Sequence, residues 1–111
     1  MLGYHPAFKL HSDRPTVKTE DREIELQEVL DAGSRALEVA NTNSIILQDK
    51  FGLQIDAEGF GNFMLWTEVN NMVCIEPVTY YPYTSGQENL HEGFMHLEDA
   101  EMVFTVRLRP L

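Results

Sequence analysis

The chain is poor in cysteine, in positive charge and in long apolar runs, and each shortage removes a class of protein. Cys74 is the sole cysteine among 111 residues, so no disulfide within the chain holds the fold, and a disulfide-stapled secreted scaffold is excluded. Lys and Arg number 8 against 18 Asp and Glu, a formal net charge of −10. A surface of that sign repels phosphate backbones and anionic lipid, which argues against nucleic acid and anionic membranes as partners. It favours neutral or cationic ligands. No stretch of 18 apolar residues and no signal-peptide pattern is present, so the expected setting is a reducing cytoplasm. Internal repeats and low-complexity tracts are also lacking.

What remains is 43% hydrophobic, enough for one core, and residues 1–111 are read as a single domain. The apolar residues fall in short runs with β periodicity. Residues 4–8 form an aromatic run interrupted by Pro6, which suits an edge or a strand end. Residues 15–19 are a short β-branched run, and residues 23–26 alternate polar and apolar. Residues 27–32 read as a helical turn stopped by Gly33. Residues 35–39, 44–48 and 53–55 are further runs, broken by Asn41-Thr42-Asn43, Lys50 and Gly52. Residues 62–67 and 72–76 are joined by Glu68-Val69-Asn70-Asn71, whose asparagine pair tolerates left-handed backbone and so suits a hairpin. Residues 80–93 read as a long irregular loop and residues 102–108 as a last strand. Eight or so short strands with turns between them predict an all-β fold, an antiparallel β-sandwich with little helix.

Two strings carry chemistry. The first, Gly3-Tyr4-His5-Pro6-Ala7-Phe8, holds an imidazole, and the second, Val73-Cys74-Ile75-Glu76-Pro77, holds a carboxylate. Side chains alternate along a strand. Val73 and Ile75 therefore belong to one face, directed to the inter-sheet core, and Met72, Cys74 and Glu76 to the other. Glu76 has no basic residue within five positions, and partial burial on an apolar floor is expected to raise its pKa. Trp66 shares a face with Met64 on the preceding strand. An indole beside a carboxylate suits the face of a sugar ring, although Trp is equally an ordinary core residue.

These blocks, with Phe63-Met64-Leu65-Trp66-Thr67 between them, occur in an order that resembles the aldose 1-epimerase (galactose mutarotase-like) superfamily. The resemblance runs over the whole chain and covers only the C-terminal part of that family's fold. It implies a large antiparallel supersandwich that binds sugar on a concave face. The position matching Glu76 takes a proton from the anomeric hydroxyl, and the position matching His5 protonates the ring oxygen. The ring opens and closes on its other face, with no cofactor and no metal. The resemblance makes His5 and Glu76 the catalytic pair and Trp66 a wall of the pocket. It also calls for a substrate-binding Asp between them, for which Asp49 and Asp56 are the candidates; Asp49, before Lys50, reads equally as a turn residue. The family's Arg and second His come from an N-terminal half that has no counterpart in this chain. A homo-oligomer or a missing N-terminal half is therefore expected to cover the exposed edges and apolar face.

The rival readings are a non-catalytic carbohydrate-binding module and a structural protein whose old sugar face has become an interface. His5 and Glu76 are also readable as hydrogen-bonded structural residues. Cys74, with no cation or His near it in sequence, reads as a small buried apolar residue. Tyr80, Tyr81 and Tyr83 are read as a loop that stacks on sugar or packs on itself. His91 and His96 are five apart and separated by Gly93, which excludes a helical metalloprotease motif. The acidic stretch 20–28 reads as a solvated face.

Overall fold

The computed structural model describes residues 3–79 and 104–111. The tyrosine cluster, His91, His96 and the start of the expected last strand lie outside those residues. Within them the chain forms strands β1 (Ala7–Lys9), β2 (Thr16–Lys18), β3 (Glu23–Glu25), β4 (Leu37–Val39), β5 (Ser44–Gln48), β6 (Gly52–Glu58), β7 (Asn62–Trp66), β8 (Met72–Val78) and β9 (Thr105–Pro110). One short helix, α1 (Leu26–Ala32), follows β3 and runs into a 3-10 turn at Gly33–Arg35. The strands make two antiparallel sheets, a four-stranded one in the order β1-β8-β7-β4 and a five-stranded one in the order β3-β2-β5-β6-β9. The fold is the all-β antiparallel sandwich that the strand pattern predicts. Among the described residues no helix is long and apolar enough to cross a membrane.

Alternation builds the core. The five-stranded sheet contributes Val17, Ile24, Ile45, Leu47, Ile55 and Ala57, and the four-stranded sheet contributes Phe63, Leu65, Val73 and Ile75. Phe63, Leu65, Ile55 and Ile75 are fully buried, each worth about 1.5–3 kcal/mol relative to exposure. Helix α1 drops Val29 into the same core and touches β3 of one sheet and β4 and β7 of the other. It ends where the glycine stop predicts. Gly33 takes φ 63°, and its N–H reaches the Leu30 carbonyl, a conformation open to a residue without Cβ. Phe60 and Phe104, with ring centroids 5.2 Å apart, pin the last strand to the turn after β6.

The β7–β8 turn is built differently from the expectation. The left-handed positions among the described residues are Gly33, Ala36, Asn41, Gly59 and Gly61, so Asn70 and Asn71 are not among them. With five residues between the strands, the turn has no need of a two-residue left-handed corner. It is held by Thr67, a buried hydroxyl within hydrogen-bond reach of the Val69 and Met72 carbonyls at 2.8 and 2.6 Å.

The position of β1 matters most for function. It is an edge strand paired with β8, with Ala7 opposite Cys74 and Lys9 opposite Met72. The same register continues outward past Pro6. The Ile75 N–H donates to the Pro6 carbonyl, the Tyr4 N–H donates to the Pro77 carbonyl, and Gly3 bridges Val78. Pro6 has no N–H to donate and sits at an edge, where that lack costs nothing within the sheet.

Candidate functional site

The continuous register places His5 opposite Glu76, midway between the Ala7–Cys74 and Gly3–Val78 pairs. The side chains meet there, with His5 Nδ1 3.6 Å from Glu76 Oε1. The pair lies on the outer face of the four-stranded sheet, because its neighbours Val73 and Ile75 are turned into the core. On β7, Met64 stands opposite Glu76 and Trp66 stands opposite Cys74. Both are half-buried, while Phe63 and Leu65, which alternate with them, are buried. The face thus carries a His–Glu–Met row beside an Ala–Cys–Trp row, with Glu38 on β4 extending the first row at Met64.

Exposure divides the pair. The His5 side chain is 65% exposed and that of Glu76 only 15%. Burial pushes the Glu76 carboxyl above its ordinary value of 4.5, and the positive charge of His5 pulls in the other direction with smaller effect. Cys74 lies beneath them, 2% exposed yet outside the inter-sheet core cluster. Its thiol is pushed up by burial first and by the Glu76 charge second. Asp56 on the other sheet shows the opposite balance. Hydrogen bonds from Gln54 and Ser44 lower its pKa, because polar neighbours stabilise the carboxylate that an apolar floor penalises. A carboxylate raised by burial beside an imidazole can accept a proton while its neighbour donates one.

Three of the four residues singled out from sequence therefore come together: His5, Glu76 and Trp66. Asp49 does not join them. Its two oxygens accept the main-chain N–H groups of His11 and Ser12, at 2.8 and 2.7 Å. Those residues lie past the Lys9 end of β1, whereas His5 lies before its other end. Asp49 fastens the segment after β1 to the end of β5. Asp56 is also on the other sheet, hydrogen-bonded to Ser44 at 2.6 Å.

A cleft of about 730 Å³ opens elsewhere, lined by Leu10, His11, Arg14, Glu25, Leu26 and Asn71 among others. Its ionisable side chains, His11, Asp13, Arg14 and Glu25, are all exposed. Volume alone favours that cleft, but tuned chemistry favours the sheet face. Burial raises the pKa of Glu76 and Cys74, and perturbed groups of that kind mark functional sites.

Cys74 is buried, as its sequence reading has it, but that reading found no His near it. Its face was legible, since it shares the alternation of Glu76, but its neighbour in space was not. His5 is far away in the chain and is brought alongside by the β1–β8 pairing.

No family model matches this chain, and no curated protein or solved structure matches it.

Proposed function

We propose that this chain is an aldose 1-epimerase-like sugar mutarotase that works on the outer face of its four-stranded sheet. The observation that carries the reading is the facing pair, His5 Nδ1 3.6 Å from a partly buried Glu76 carboxylate. Mutarotation moves two protons about a single carbon: one leaves the anomeric hydroxyl and one arrives at the ring oxygen. Those oxygens share one carbon, so an acceptor and a donor standing side by side can address both. Glu76, raised by burial, is the base. His5, 65% exposed to solvent, is the acid. The C–O ring bond breaks as the proton reaches the ring oxygen, and the anomeric carbon becomes an aldehyde. After rotation the same hydroxyl closes on the other face, and the two protons return. Trp66, half-buried on the next strand, offers an apolar platform for the sugar ring.

A second reading is favoured by Met64, Trp66 and Met72, half-buried apolar side chains on the same face. In that reading the face docks a second copy of the chain, and the pair is an interface residue set. Edge strands β1 and β4 bound the sheet and suit such pairing.

The deciding experiment is polarimetry of freshly dissolved α-galactose and α-glucose in chelator-treated buffer. The wild-type protein is expected to speed equilibration over buffer. Glu76→Gln is expected to lose about 10²–10⁴-fold of that acceleration. Equilibration at the buffer rate by a folded wild-type protein rejects the enzyme reading. A sedimentation mass near twice 12.7 kDa, lost on Trp66→Glu, selects the dimer reading instead.

A further inference from the structure

The pair at the sheet face has a third member, and together they make a donor set that acid–base chemistry does not need. One nitrogen of His5, the sulfur of Cys74 and one oxygen of Glu76 all lie within 4.8 Å of one another. Their convergence follows from the fold. Cys74 and Glu76 are two apart on β8 and point to the same side, and the β1 register lays His5 across from Glu76. We propose that His5, Cys74 and Glu76 form a three-ligand site for a borderline-soft divalent cation of the zinc type, with a fourth position open to water.

The spacing suits such an ion. Tetrahedral bonds of about 2.0–2.3 Å place neighbouring ligand atoms about 3.3–3.8 Å apart. The His–Glu separation of 3.6 Å is already in that interval. The separations that involve Cys74 lie within 4.8 Å and need to close by at most about 1–1.5 Å. Side-chain rotation of His5, which is 65% exposed, and of the Glu76 carboxylate about its own torsions can supply this. Cys74 and Glu76 sit on a strand in the middle of the sheet, which fixes the backbone of the two acidic donors. Thiolate, imidazole and a single carboxylate select zinc and its neighbours over magnesium or calcium, which require oxygen ligands. A thiolate and a carboxylate also balance a divalent charge on a floor where Cys74 is buried and Glu76 partly buried. On binding, the thiol proton leaves to solvent and the sulfur–metal bond takes its place.

The proposal stands apart from the sugar reading, since a metal on these three groups would occupy both the acid and the base. Its test needs no sugar. Metal-free protein is titrated with Co²⁺, and the near-ultraviolet thiolate-to-cobalt charge-transfer band is followed together with the visible bands of tetrahedral cobalt. Cys74 is the sole cysteine, so such a band reports this sulfur. Cobalt on His11, His91 or His96 gives none. The expected result is a band that saturates at one equivalent and is abolished by one equivalent of Zn²⁺. It should vanish in Cys74→Ser, and cobalt should bind at least tenfold more weakly to both His5→Ala and Glu76→Gln. His5 is exposed, so His5→Ala reads the site even if a change at Cys74 unfolds the chain; circular dichroism identifies that case. A folded wild-type protein with no thiolate band overturns the proposal. So does a band whose midpoint is the same in His5→Ala and Glu76→Gln as in the wild type, which reduces the site to one thiol. Because polarimetry is run with chelator and the titration without sugar, either reading can fail alone.

Discussion

His5 and Glu76 face one another across the β1–β8 pairing because a single antiparallel register runs from the Gly3–Val78 bridge to the Lys9–Met72 pair. Pro6 interrupts the donors of the strand without shifting it, since its carbonyl still accepts from Ile75. The His5–Glu76 contact and the approach of Cys74 to it both derive from that register.

Glu76 makes the fold pH-sensitive in a stated direction. Its folded pKa is raised by burial above 4.5. Below the unfolded value the carboxyl is neutral in both states, and its full contribution to stability is present. As pH rises through the raised value, the folded chain must hold a desolvated charge, and that contribution is lost. Relative to Glu76→Gln, the wild type should therefore lose melting temperature as pH climbs from about pH 4 to pH 8. His5→Ala removes the charge that opposes the shift, so the Glu76 titration followed by carboxyl NMR should move further up. A parallel pH dependence in wild type and Glu76→Gln contradicts this account.

Trp66 is the chain's one tryptophan and stands opposite Cys74, so its emission reports on the sheet face directly. If sugar binds there, galactose should change the intensity or wavelength of that emission along a saturable curve, and Trp66→Phe should remove the signal and weaken binding. Base or acid substitutions should leave the curve largely intact while slowing turnover. Emission that stays flat through millimolar sugar places the ligand elsewhere or nowhere.

Asp49 should matter for stability and not for chemistry. Asp49→Ala deprives two main-chain N–H groups of their acceptor, at 2.8 and 2.7 Å, and is expected to cost about 1–2 kcal/mol in urea unfolding. Polarimetry and cobalt binding should be unchanged in the folded variant. A selective loss of sugar affinity at full stability restores Asp49 as a substrate contact.

Thr67 organises the turn that sets the β7–β8 pairing. Thr67→Val keeps the shape and removes the hydroxyl that serves the Val69 and Met72 carbonyls and accepts the Val69 N–H. The expected loss is about 1–3 kcal/mol, because these groups lose a partner at a buried position. Asn70→Ala should cost far less, as neither asparagine of the turn has positive φ. Equal losses in the two variants go against Thr67 as the organiser.

Much of the architecture is written in local pattern. Residues 44–48 and 62–66 are strands where alternation places them, Gly33 stops α1 where a residue without Cβ is needed, and Val73 and Ile75 face the core while Cys74 and Glu76 face away. These features follow from side-chain period and backbone sterics over a few residues, which any short stretch of sequence displays. The raised pKa of Glu76 was legible for the same reason: alternation sets it beside Cys74 and Met72 on a partly apolar face, where burial is expected. Three other matters belonged to the tertiary structure alone. It paired β1 with β8 and so gave Glu76 its imidazole. It brought His5 and Glu76 to within 4.8 Å of the buried Cys74 sulfur. It also drew Asp49 away to His11 and Ser12, 38 and 37 residues earlier in the chain. Each is a contact between distant segments, decided by which strand edges the whole core leaves free to pair, and no local period carries that information.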